Sequence, residues 1–268
     1  MIEPGPVLDR TDPPRRVLTA VEFDVLWERL GLGPTPVVLR LESPGRTHAE
    51  RRAILTAGWQ AMRDRGLAGP DGPEPELTRL LHVLARPAVQ LELRGRWGGR
   101  TVRAMAAGYP GAGALAVRQD ATVAITPYNS LSSGLLGTLP PAGPGPGRSC
   151  AVPDGALSAA LTAPVDQRRA VLVAQHVPPD DAALLTRMLD EVESSAQLVA
   201  LATDRWGVLR RSGGVLAVLD GPRGRYLLTR TTAEDGVGWT TVAPTDDRRL
   251  RVRLAELFAA ADPAAAKA

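Results

Sequence analysis

Cysteine occurs once in the 268 residues, at Cys150, and that scarcity removes two classes of protein. A single thiol closes no internal disulfide and cannot build a structural zinc cluster on thiolates, so a reducing cytosol is the expected compartment. Aromatic residues are only 4% of the chain, a poor supply of stacking platforms, and nucleic acid is not an expected partner. Lysine is nearly missing. Lys267 stands alone among 32 basic residues, against 29 acidic ones. The pI of 9.6 therefore reads as the arginine usage of a GC-rich genome rather than as a phosphate-binding surface. No run approaches the ~20 apolar residues that span a bilayer, so no membrane association is expected. The first sixteen residues have no apolar core for a secretory signal.

What is present is a dense series of helix and strand signals, with 44% apolar and 23% charged residues, as in ordinary globular domains. Residues 1–16 hold four prolines without periodicity and read as a disordered tail, and 262–268 as a second one. The segment PPAGPGPGR, 140–148, suits neither helix nor ladder; it reads as a linker between a first half, 17–139, and a second, 149–261. The first half opens on a capping box, Thr19 with Glu22, inside a staple of Leu18 and Phe23. Phe23, Leu26, Trp27 and Leu30 follow at helical spacing, and Gly31 stops the helix. VVLRLE at 37–42 reads as a strand. Thr47 and Glu50 form a second box, opening a helix that runs to Gly66, and a third helix starts at Pro75 and ends before Pro87. Val89, Leu91 and Leu93 alternate with Gln90, Glu92 and Arg94, a half-buried strand. Strands at 101–108, 112–118 and 122–126 complete an antiparallel meander, and a short helix at 130–139 closes the half.

The second half repeats the scheme: helices at 154–161 and from Asp180, strands at 197–203, 208–211, 215–219, 226–230 and 239–243, and a last helix from Thr245. Arg96-Trp97-Gly98 recurs as Arg205-Trp206-Gly207. TVAITP, ending at Pro127, recurs as TTVAP, ending at Pro244. The second half carries eight extra residues between tryptophan and proline, and the loop 231–238 is the natural place for them. The expectation is an α+β chain built by internal duplication, with Trp97 and Trp206 at equivalent places.

Catalytic chemistry is hard to find. His48, His82 and His176 belong to no metal-ligand spacing, no GxSxG elbow is present, and Cys150 has no histidine at a diagnostic distance. GPGPGRSC lacks the GK[ST] of a phosphate loop, and its prolines remove amide donors. Asp180/Asp181 and Asp246/Asp247 stand at helix starts, where capping accounts for them. No metal and no cofactor is expected. An enzyme would have to assemble its site from scattered polar residues, with Asp220, Arg225 and Tyr226 the nearest candidates.

The order of the motifs carries more information than any one of them. VLTAVEFDVLWERLGLG at 17–33, GRTHAERRAIL at 45–55 and RDRGLAG at 63–69 resemble the start of EspG proteins, the ESX (type VII) secretion-associated proteins of actinobacteria. VLDGPRGRYLLT at 218–229, GWTTVAPTD at 238–246 and the terminal helix resemble their end, and the linker followed by VPDGAL fits between. The resemblance implies a central antiparallel β-sheet with helical bundles and pseudo-twofold duplicated halves. It also implies a cytoplasmic, non-catalytic chaperone that binds a PE–PPE heterodimer at its tip, keeps it soluble and targets it for export. The hairpin at 96–100 is short where some members carry a long loop that touches the substrate. A scaffold of the same fold with another helical client is the alternative, and self-association as a homodimer is left open.

A helical client needs a groove with a few buried anchors and a polar rim. The helix from Asp180 offers a broad apolar face, so Leu184, Leu185 and Met188 are expected as its wall. The adjacent sheet would add Tyr226, Leu228 and Trp239, with Arg225 as a rim donor. The competing reading is that these residues close the core between helix and sheet.

Overall fold

The structure is a computed structural model that describes residues 15–42, 44–109 and 112–259. It is organised around one ten-stranded antiparallel sheet. The first half contributes β1 (Arg16–Thr19), β2 (Val89–Trp97), β3 (Arg100–Tyr109), β4 (Ala112–Gln119) and β5 (Thr122–Pro127). Its helices are α1 (Ala20–Arg29), α2 (His48–Asp64) and α3 (Pro75–Ala85), between β1 and β2, and α4 (Leu131–Leu136), after β5. The second half contributes β6 (Cys150–Pro153), β7 (Ser194–Thr203), β8 (Leu209–Gly221), β9 (Gly224–Thr232) and β10 (Gly238–Pro244). Its helices are α5 (Asp154–Thr162), α6 (Arg168–Ala174) and α7 (Pro179–Met188), between β6 and β7, and α8 (Asp247–Ala259), after β10.

The strand order β1-β5-β4-β3-β2-β7-β8-β9-β10-β6 is a palindrome of the two halves. In each half the first strand pairs with the last and closes the outer edge, and β2 and β7 join the halves antiparallel. The expected duplication is therefore present in the topology. The Arg-Trp-Gly triplets occupy the same hairpin of each half but not the same register. Counting inward across the strands, Pro127–Ala114–Ala107–Gln90 corresponds to Pro244–Tyr226–Leu219–Ser195. On that frame Ala202 answers to Trp97, and Trp206 lies beyond β7 in the turn. Trp97 is half-buried against the core, whereas Trp206 is 74% exposed. The extra length is shared: Ala114 to Pro127 spans thirteen positions against eighteen for Tyr226 to Pro244, and the β7–β8 hairpin is extended as well. A bulge in β8 opposite Val199, where Gly213 takes a left-handed φ of 60°, absorbs part of the second extension.

Both capping boxes form as their sequences require, and each contributes about 1 kcal/mol to its helix. Phe23, Leu26, Met62, Leu77, Leu80 and Leu84 join Met105, Ala116, Val123 and Ile125 in one core cluster on one face of the sheet. Cys150, Leu157, Leu172, Leu185, Met188, Tyr226 and Val242 form a second cluster under α5–α7 on that same face. The opposite face is closed centrally by α4 and α8 over Leu91, Leu93, Ala104, Leu198 and Leu216.

Several expectations change. Residues 37–42 do not form a strand: Val38 and Leu39 are buried in a turn closed by Leu39 N–H donating to the Pro36 carbonyl at 2.9 Å. The edge position beside β5 belongs instead to β1, a strand too short for periodicity to show. The segments 208–211 and 215–219 are one strand, β8, interrupted by its bulge. The helix α6 and the strand β6 were not anticipated. The expected tails lie outside the described residues, apart from Arg15 and Arg16; Arg16 begins β1 and donates to Glu74 at 2.5 Å. Among the described residues no helix is long and apolar enough to cross a membrane.

Candidate functional site

Each half seats its own helical bundle on one face of the sheet, and the strands where the halves join are left between the bundles. Side-chain parity fixes what that strip presents. On β2, Leu91 and Leu93 point into the α4/α8 core, so Gln90, Glu92, Arg94 and Arg96 point to the bundle face. On β7, Ala196, Leu198 and Ala200 point to the core, which leaves Ser195, Gln197, Val199 and Leu201 beside them. Gln90 and Glu92 are buried and hydrogen-bonded to each other at 3.0 Å. Arg94, Arg96, Ser195 and Gln197 are exposed, and Val199 and Leu201 half-buried. Arg211 and Leu209, opposite Leu201 and Thr203, extend the strip toward the β7–β8 turn. The result is a trough between the bundles, in which Val199, Leu201 and Leu209 lie beside the exposed Arg211 toward that turn, while arginines dominate toward the β2–β3 hairpin. The pattern could not be read ahead of the fold, because it depends on knowing that β2 pairs with β7.

The residues expected to line a groove are only partly brought together, and not as an open wall. Leu184, Leu185, Met188, Tyr226 and Leu228 do meet, but as the core under α5–α7. Leu185, Met188 and Tyr226 are 0%, 2% and 3% exposed, and Leu184 and Leu228 are half-buried. Trp239 is exposed on the other face, because register pairs it with Thr231, one position out of phase with Val242. Arg225 is no rim donor. Its side chain is fully buried, donating to both Asp220 carboxylate oxygens at 2.7 and 2.8 Å, to Asp247 at 3.0 Å and to the Pro140 carbonyl at 2.5 Å. Burial disfavours its charge, but Asp220 and Asp247 outweigh that and hold its pKa above the ordinary arginine value. The triad proposed for a scattered enzyme site is thereby a structural knot.

The Pro/Gly segment explains why α7 offers no open wall. It is laid across β9 as a strap: Arg225 N–H donates to Gly143 O at 2.8 Å, and Gly145 N–H returns to Arg225 O at 3.2 Å. The Tyr226 hydroxyl donates to Pro146 O at 3.1 Å. A Cβ on Gly145 would land 2.2 Å from the Tyr226 ring, and one on Gly147 would touch Met188 and Leu184. Glycine is required there for close approach, not for slack.

The other candidate groups are dispersed. His48 and His176 are exposed, and His82 Nδ1 lies 2.9 Å from the Thr78 carbonyl. Cys150 is buried, and burial, with Asp181 nearby, pushes its thiol pKa up, the reverse of an activated nucleophile. Among the described residues no group of three or more His, Cys, Asp or Glu could hold a metal ion. Among the described residues, further clefts lie elsewhere. One of about 900 Å³ lies between α1 and α2 around Trp59; another, about 620 Å³, lies between α8 and β9–β10, with Arg248, Arg249 and Arg253 on its wall.

Comparison with known proteins agrees with this architecture. The chain is 27% identical over 236 residues to the ESX-3 secretion-associated protein EspG3 of Mycolicibacterium smegmatis, covering 85% of this chain and 80% of that protein. Its fold is similar, with a TM-score of 0.70 and 17% identity, to the Mycobacterium tuberculosis type VII secretion system chaperone EspG5, solved in complex with a PE25–PPE41 dimer. That likeness covers 93% of this chain and 98% of the other. Residues 19–256 match the EspG family profile, and the chain belongs to the EspG family.

Proposed function

We propose that this protein is a cytosolic, non-catalytic chaperone of type VII secretion that binds a PE–PPE heterodimer, keeps it soluble and delivers it for export. Family membership over residues 19–256 carries the reading. The EspG5 chaperone of similar fold was solved with a PE–PPE dimer, and the trough between the bundles offers such a client a place to lodge. Its two ends suit a helical tip: Val199, Leu201 and Leu209 supply apolar contact, and the arginines of β2–β4 supply charge. Leu184 and Leu228 are the members of the α7–β9 set with surface left to contribute. The dispersal of titratable groups fits a protein that binds without turnover.

The test is copurification from the native host with a tagged chain, followed by mass spectrometry and reconstitution. A PE–PPE pair is expected at one dimer per chaperone. Leu201→Asp, on a half-buried site, is expected to keep the melting temperature and lose the client. Stoichiometric recovery of a different helical protein, with no PE–PPE pair, would replace this reading with the scaffold alternative.

A further inference from the structure

Register places three arginines in a row across the sheet. Arg94 of β2 lies directly opposite Arg103 of β3, and Arg103 directly opposite Arg118 of β4. Directly opposed residues share a face, here the bundle face, and neighbouring strands are about 4.8 Å apart. Arg96, two positions along β2, leaves the same face. Like charges directly opposite one another destabilise a sheet, and little inside the protein offsets them. Glu92 reaches Arg94 at 3.4 Å and also accepts from Gln90. Arg118 donates to the backbone carbonyl of Arg40. Burial and the neighbouring Arg103 hold Arg118 below the ordinary arginine pKa, with Glu42 acting against them. Among the described residues, no carboxylate forms an ion pair with Arg96, Arg103 or Arg118.

The duplication offers a comparison for the row. Counted from the same aligned strands, the second-half positions are Val199, Val215 and Arg230, with Val199 opposite the β8 bulge and Val215 within it rather than in a paired row. There the single arginine is paired with Asp154 at 3.7 Å. The first half holds three arginines, one of them paired with Glu92, where the second holds two valines and one paired arginine.

From this row we infer a binding site for the acidic face of a partner helix, in which Arg94, Arg103 and Arg118 receive carboxylates spaced one helical turn apart. The spacing fits: carboxylates at i and i+4 on a helix stand about 5–6 Å apart at Cβ, close to the strand separation. Arg94 is exposed and Arg103 and Arg118 half-buried, so the guanidinium groups are reachable yet partly desolvated, where charge pairing is strongest. As the site lies in the trough, the inference rests on the chaperone reading for the partner's identity. The row itself is testable without that partner.

The experiment uses the full chain and the double variant Arg103→Gln/Arg118→Gln. Removing like charges predicts a melting temperature equal to or above wild type. A helical peptide with glutamates at i, i+4 and i+8 should bind wild type with an affinity that falls as salt rises, and the double variant at least tenfold more weakly. The same peptide with glutamines should not bind either. A variant that melts lower than wild type would make the row structural, and equal peptide binding by both proteins would move the site elsewhere. Tighter binding of tripolyphosphate or of a single-stranded oligonucleotide than of the peptide would overturn the assignment to protein carboxylates. Copurification of the client with wild type reports on the chaperone reading separately, so a failed client does not score against the row, nor a failed row against the client.

Discussion

Replacing Arg225 by methionine isolates a buried ionic knot. The guanidinium ties together three segments: Asp220 at the end of β8, Asp247 at the start of α8, and the Pro140 carbonyl at the start of the strap between the halves. Methionine fills much of the volume but leaves Asp220, whose side chain is 14% exposed, without its bidentate partner. Breaking a buried pair from one side costs about 3–5 kcal/mol, chiefly through the stranded charge. The Pro140 carbonyl loses a donor, adding to the upper part of that range. Asp247 is 52% exposed, so its share is at most about 1 kcal/mol. At roughly 2–4 °C per kcal/mol for a chain of this size, the melting temperature should fall by about 10 °C. Thermal and urea unfolding followed by circular dichroism reads both quantities. Arg225→Met with Asp220→Leu should recover most of the loss, because no carboxylate is then left buried. A single variant within 1 kcal/mol of wild type, or a double variant as unstable as the sum of its parts, would refute the reasoning.

Three further outcomes follow from close contacts. Gly224→Ala should destabilise by about 2–4 kcal/mol in urea unfolding, because its φ of 122° suits glycine and the new Cβ would meet the strap backbone at 2.7–2.8 Å; wild-type stability would show the strap to be free to move. Gly95→Ala should cost about 1–3 kcal/mol and red-shift tryptophan emission, since its Cβ would sit 2.1 Å from the Trp97 ring; unchanged emission would show that the ring does not lie there. Cys150 should resist iodoacetamide at pH 8 in the native protein and react after denaturation, as burial both hides the thiol and raises its pKa; native labelling at the denatured rate would contradict this.

How much was legible depended on how local the determining chemistry is. Thr19 with Glu22 and Thr47 with Glu50 announce their helices within four residues, and both form as read. The meander from β2 to β5 shows through alternation and short turns. The edge strands β1 and β6 do not, because each is four residues long and acquires its identity from a partner about a hundred residues away. Val38 and Leu39 look like strand residues because they are buried, but burial in a turn leaves the same apolar signature. Arg225 sits in the turn-rich string DGPRGRY, where exposure is the ordinary expectation; only the folded strap and α8 put it out of water. Trp239 was misplaced by a single step of parity, which the β9–β10 register decides and composition cannot.

The trough follows from the way the duplication is closed. Each half buries its apolar strand face under its own three helices, so neither bundle needs to reach across the pseudo-twofold axis, and the strands on that axis stay partly open. A perfect duplication would give the strip two identical ends. Here the halves have diverged: Arg94 stands where the other half has Val199, opposite the β8 bulge, and Arg103 where it has Val215, within that bulge. A duplicated framework therefore presents an asymmetric surface, arginine-rich at one end and mixed apolar and basic at the other, where Arg211 lies opposite Leu201. A client helix carrying carboxylates on one stretch and apolar residues on the next satisfies both ends in one direction only. Reversed, it would meet Val199 and Leu201 with Arg211 opposite Leu201 in place of the row of three, and carboxylates left without a partner there cost free energy. In the chaperone reading proposed above, the client's orientation thus follows from local divergence within a repeated framework.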